Sequence, residues 1–225
     1  MIPLARRAGA ELVGTDFLVM AVVGSGIAAQ RLSPQDTGLQ LLENSLATGA
    51  VLVALILALQ PVSASFNPVV TLVERALGLV DSREALALVA AQFVGGGIGV
   101  VLANLMFDLD AVTLSGHERS GAGIWLGEVV ATVGLVLLVF GSLRGGRAES
   151  VALVVGGYIA AAYWFTSSTS FANPAVTVAR MFSDTFAGIA PESAPMFVLM
   201  QLVGGVLALG LVRFLFVAPV TEAVR

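Results

Sequence analysis

Apolar residues fall in long blocks, near 10–29, 41–60, 85–106, 122–143, 150–167 and 195–217. A bilayer's hydrocarbon core takes roughly 20 apolar residues per helix, so these blocks predict six membrane spans. Polar punctuation bearing Gly and Pro separates them: Arg31 to Glu43, Asp81 to Glu84, Asp108 to Ser120, Arg144 to Glu149 and Asp184 to Pro195. Two further stretches, about 67–78 and 173–183, open on Asn-Pro and are too short to span. Pro suits the first turn of a helix, where its missing N–H costs nothing, so both predict half-length helices. Arg6 and Arg7 ahead of an apolar run, with Ala28-Ala29 behind it, have the outline of a cleavable leader. Glu11 and Asp16 interrupt that run, and the repeat described below needs this helix, so retention is expected.

Composition fits the same picture. Of 225 residues 57% are hydrophobic and 12% charged, with a mean hydropathy of +0.95. Soluble domains carry about a quarter charged residues, so this chain lacks the charge to coat a water-facing surface. A soluble globule, a disordered chain and a nucleic-acid binder are excluded, and a net charge of −4 offers phosphate nothing. There is no cysteine, hence no disulfide and no thiolate site. Within the spans no His, Cys or paired Asp offers a base or nucleophile, and no metal-ligand cluster occurs, so no enzyme, metal or cofactor is expected. All 11 basic residues are Arg. With a cytoplasmic N-terminus, Arg6, Arg7, Arg75, Arg83, Arg144, Arg147, Arg213 and Arg225 fall on the inner side and Arg31, Arg119 and Arg180 on the outer. That division obeys the positive-inside bias and places both termini in the cytoplasm, the membrane being the cell's inner (plasma) membrane.

The two halves repeat. Glu11 in Ala-Glu-Leu-Val-Gly answers Glu128 in Gly-Glu-Val-Val-Ala. Asn67-Pro68-Val69-Val70-Thr71 answers Asn173-Pro174-Ala175-Val176-Thr177, and Gln92-Phe93-Val94-Gly95-Gly96 answers Gln201-Leu202-Val203-Gly204-Gly205. One unit over 1–225 thus consists of repeats at about 1–110 and 120–225. Three spans per repeat is an odd number, so the halves have opposite topology, with short Pro-started segments in corresponding places. The two half-helices then meet N-terminus to N-terminus near the midplane. Each tip carries about half a positive charge and an Asn amide able to donate to a solute, a constellation that favours polar neutral molecules and repels cations. Backbone leading into each half-helix (62–66 and 168–172) is expected to line a wet cavity with carbonyl acceptors. Glu11 and Glu128, costly inside a bilayer, are expected to accept hydrogen bonds from loop N–H groups.

The duplicated Asn-Pro motifs, with their Glu and Gln markers, closely resemble the major intrinsic protein (aquaporin) family across nearly the whole chain. The resemblance implies an all-α membrane protein: a right-handed bundle of six transmembrane helices plus two half-helices. It further implies a homotetramer in the lipid bilayer, each protomer a passive channel for small neutral solutes. The first motif reads Asn67-Pro68-Val69 where the family has Asn-Pro-Ala, which is expected to alter packing between the half-helices and leave the Asn donors in place.

Departures at the outer constriction are more informative. The Arg that follows the second motif in most members is Val176 here. Counting back from Asn173 puts the other constriction positions at Ser170 and, within a residue, Ala161; the position on span two falls near Thr48. Small groups thus stand where water channels carry His, Phe and Arg, which implies a wide, arginine-free filter. The pattern is similar to aquaporin-like channels of bacterial arsenic-resistance operons, and implies passage of arsenite, methylated arsenicals and other polyol-like solutes. Thr177, where glycerol facilitators carry Asp, counts against an ordinary glycerol channel. A water or glycerol channel and a proton-coupled transporter using Asp16 or Glu128 are the competing readings. Arg180, one turn beyond Val176, either contributes to the outer mouth or lies in the outer interface, where Asp184 is a candidate partner.

Overall fold

The computed structural model describes residues 2–216, so Arg225 and the end of the last apolar block lie outside the described residues. The described residues form helices only: α1 (Leu4–Leu32), α2 (Thr37–Leu59), α3 (Pro68–Ala76), α4 (Ser82–Met106), α5 (Ala122–Arg144), α6 (Val151–Phe165), α7 (Pro174–Arg180) and α8 (Ala194–Leu215). All but α3 and α7 are long and apolar enough to cross a membrane, α6 with the 3₁₀ turn Ala148–Ser150 before it. This is a multi-pass membrane protein. Large apolar side chains point outward, Leu86 (73% exposed), Val206 (71%) and Phe214 (80%) among them; in water such a surface would mark an interaction site, whereas lipid accepts it.

Helix starts follow local chemistry. The Asp36 carboxylate caps α2 at Leu39 N–H (2.9 Å). Asp81 and Glu84 form a capping box on α4, at 2.8 and 3.1 Å. Asn67 and Asn173 cap α3 and α7, with Pro at the first helical position. The half-helices are shorter than the sequence suggests, 9 and 7 residues. Gly78, at φ 78°, ends α3, with Leu79 N–H turned back onto the Glu74 carbonyl (2.9 Å).

Packing repeats as the sequence does. α1 lies along α4 and α5 along α8; α2 meets α6; α3 is seated on α4 and α8, as is α7. Glycines permit the closest crossings. A Cβ on Gly95 would collide with the Leu12 carbonyl, one on Gly99 with that of Asp16, and one on Gly204 would lie 2.9 Å from that of Val129. Gly49 and Gly156 face each other where α2 crosses α6. We call the side on which α1 begins the near face and the other the far face. On the near face Arg7 pairs with Glu84 (3.0 Å) and Arg213 reaches the Ala76 carbonyl (2.8 Å). On the far face Arg31 bonds the Phe107 carbonyl (2.5 Å) and Arg119 that of Gly188 (2.9 Å).

Candidate solute pore

The loops before α3 and α7 are held by buried carboxylates. Glu11 accepts from Ser63 Oγ (2.5 Å), the N–H groups of Ser65 (2.9 Å) and Phe66 (2.7 Å), and Gln92 Nε2 (2.8 Å). Glu128 accepts from the N–H groups of Phe171 and Ala172 (2.9 Å each) and from Gln201 Nε2 (2.5 Å). Each Gln also donates to the Thr four residues beyond the motif's Asn, Thr71 or Thr177, at 2.9 Å. A charged buried group is tolerable only when so saturated with donors.

Those bonds hold backbone in a conformation it would otherwise avoid. Phe66 and Ala172, each just before an Asn, both have φ 46°. The left-handed region is rare for residues with a side chain and costs about 1–3 kcal/mol each. The turn aims each carbonyl across the midplane: Asn67 Nδ2 donates to Ala172 O and Asn173 Nδ2 to Phe66 O, both at 2.7 Å. Each Asn Oδ1 meanwhile caps its own helix, at Val69 N–H (2.9 Å) and Ala175 N–H (3.0 Å). Each Asn is therefore a helix cap and a bridge at once. An amide carries two N–H donors, so one remains on each Asn, and both residues line the central cavity. The Phe66 and Ala172 carbonyls, expected among the solute acceptors, each accept one of these bridges, which leaves one lone pair on each.

Pro68 and Pro174 are buried at the helix starts. Val69 Cγ1 fills the place where Gly205 of α8 lacks a side chain. The residue at the same point in the other half, Ala175, packs its carbonyl on Gly96 of α4.

A cavity of about 780 Å³ runs from Arg7 and Glu74 on the near face, past both asparagines, to Tyr163 and Arg180. A second, of about 220 Å³, lies beyond on the far face and shares Tyr163 and Arg180 with the first. Thr48, Ser170 and Val176 line the large cavity near this junction. Thr48 Oγ1 lies 3.2 Å from Tyr163 Oη; Ser170, at φ 51°, leaves its Oγ without a protein partner.

Two sequence expectations need correction. Ala161 is on the exposed face of α6. The cavity face carries Val155, Ile159 and Tyr163, at steps of four; two residues before Tyr163, Ala161 is turned some 200° away. Second, the junction of the two cavities is not free of arginine. Arg180 is 2% exposed and donates through Nε to the Ala187 carbonyl. Its guanidinium lies 3.4 Å from the Phe171 ring centroid, with that of Arg119 at 5.2 Å. Asp184 accepts instead from Gly116 N–H (2.9 Å). Burial lowers the Arg119 guanidinium from its ordinary value, from so high a start that it stays protonated. Neither Asp16 nor Glu128 lines the cavity. Tyr163, Phe171, Arg119 and Glu74 were not singled out from sequence; Glu74 was detectable, standing seven residues after Asn67 as Arg180 does after Asn173.

Six spanning helices around two half-helices capped tip to tip by asparagine, with a cavity alongside, define a membrane channel fold. The chain belongs to the Major intrinsic protein family, whose sequence profile matches residues 1–170, ending just before the second Asn-Pro. It is 50% identical over 213 residues to aquaglyceroporin AqpS of Rhizobium meliloti (strain 1021), covering 94% of this chain and 91% of that one. It is 28% identical over 241 residues to the probable aquaporin AqpM of Archaeoglobus fulgidus, covering 94% and 97%. Among solved structures it resembles the aquaglyceroporin from Plasmodium falciparum, with a TM-score of 0.69, 18% identity, and coverage of 92% and 95%; at that identity the likeness speaks for the fold. This family membership and fold support a channel for small solutes.

Proposed function

We propose that the chain is a passive channel for small neutral solutes, arsenous acid and methylated arsenicals included, and not an enzyme. The observation that carries this reading is the cavity of about 780 Å³ passing both asparagines. Along it each Asn offers one uncommitted N–H. At the junction Thr48, Ser170 and Val176 are small beside the larger Tyr163 and Arg180, and it is on the three small groups that the reading of a lumen for solutes bulkier than water rests. The guanidinium that most relatives place directly after the second motif is displaced one turn, to Arg180, where Phe171 holds it against the wall. We further propose a homotetramer in the inner membrane with both termini, and hence the near face, cytoplasmic.

Reconstitution in liposomes, with light-scattering kinetics for water, glycerol, arsenous acid and a methylated arsenical side by side, tests the reading. All four are expected to pass faster than in protein-free vesicles, without saturation and without sensitivity to an uncoupler. Exclusion of the methylated arsenical alone would make this an ordinary water and glycerol channel. Collapse of flux with an uncoupler would make it a coupled carrier.

A further inference from the structure

Four fixed features of the pore attract anions. Two helix N-termini point their positive ends at the midplane, and two guanidiniums, Arg119 and Arg180, line the far mouth with no carboxylate paired to either among the described residues. Such a lumen repels cations and, left at that, would draw anions in. Among the described residues lining the large cavity, one is acidic: Glu74. Glu11 and Glu128 lie buried behind the loops and do not line the lumen, so no solute meets them, although the field of Glu128 reaches both guanidiniums and that of Glu11 reaches Glu74. Arg7 shares the near rim with Glu74 but is neutralised by Glu84 at 3.0 Å.

The place of Glu74 is unfavourable on local grounds. It sits in the last turn of α3, where the helix dipole favours cations, whereas Arg180, at the equivalent place on α7, follows the rule. Ser65 Oγ bridges both Glu74 oxygens, at 3.0 and 3.1 Å, and holds the carboxylate at the lumen wall. A charge kept against the dipole and fixed at a pore mouth acts on what passes.

We infer that Glu74 is the anion barrier of this pore: its carboxylate at the near mouth excludes the anions that the rest of the lumen would admit. Paired with Arg180 at the far mouth, it leaves uncharged solutes as the species that meet no opposing charge. The inference rests on the proposed function, in that the large cavity is taken as the solute path.

The test uses proteoliposomes of the full chain at about pH 8, above the value of about 7 to which burial pushes the Glu74 carboxyl. Swelling is followed in glycerol, and separately in potassium nitrate with valinomycin to carry the compensating potassium. Wild type is expected to pass glycerol and to hold nitrate at the protein-free rate. Glu74→Gln is expected to raise nitrate flux on the order of tenfold or more, the scale of one unscreened charge in a partly desolvated site. Glu74→Asp, which keeps the charge, is expected to go on excluding nitrate. Glu74→Ser repeats the neutralisation with a smaller group, should Glu74→Gln not assemble. Nitrate exclusion by whichever neutral variant still passes glycerol overturns the assignment; so does nitrate entry through Glu74→Asp at the Glu74→Gln rate. Wild-type vesicles that pass neither water nor glycerol would instead sink the proposed function, so the two failures are distinct.

Discussion

Glu11 and Glu128 hold their loops with the same kinds of donor, the N–H groups of the two residues before each Asn and a Gln amide shared with a Thr. Seven residues beyond each Asn, the halves part: Glu74 stands on the near face and Arg180 on the far one. The midplane demands sameness, because each loop's carbonyl is the other Asn's acceptor and neither half can change alone. The mouths carry no such reciprocal bond, and there the two halves were free to take opposite charges.

The largest effect should come from breaking the shared core. Glu11→Ala removes the acceptor of four hydrogen bonds and Glu128→Ala that of three. Each is expected to cost roughly 3–5 kcal/mol, Glu11→Ala the more, read as a lower Tm in detergent and lost water flux. A neutral outcome in one half would break the equivalence. Next comes Val176→Arg, which adds a third guanidinium to those of Arg119 and Arg180, one turn from Arg180 on the same helix face. Methylated-arsenical flux should fall about tenfold or more while water flux persists. Unchanged arsenical uptake in the variant would remove Val176 from the constriction.

Thr48→Trp puts a large ring beside Tyr163, 3.2 Å from the hydroxyl it replaces. Swelling in solutes larger than glycerol should slow severalfold, by roughly three- to tenfold, with glycerol less affected. Equal slowing of every solute would mean a folding defect rather than a narrower lumen. The smallest effect is expected from Val69→Ala, which empties the space over Gly205. A loss of about 1 kcal/mol in stability, with solute flux unaltered, would separate packing from lumen; a changed flux would show that Val69 shapes the path.

What the sequence made legible was what it states twice. The half-helices, their Asn caps and the Glu and Gln that brace them recur in order, and each carries a physical reason for its place. The wall between them was less legible because it depends on rotation. Thr169, Ser170 and Ala172 all take left-handed backbone, so counting back from Asn173 through that loop cannot give the helical phase of α6. The count therefore reaches Ala161, two residues away from Tyr163 on the cavity face. The charged mouths were visible as residues, but that Phe171 folds beneath Arg180 and Ser65 clasps Glu74 depends on contacts that no spacing rule supplies.

The crossed asparagine bonds join residues 105 and 107 positions apart. On the ribosome, the first four helices emerge with the Asn67 amide and the Phe66 carbonyl both unmet, in a membrane that offers no water to meet them. The first re-entrant stub is therefore expected to settle only once the second has been made and inserted. A chain truncated between the repeats is expected to form no half-sized pore, read as vesicles that swell at the protein-free rate.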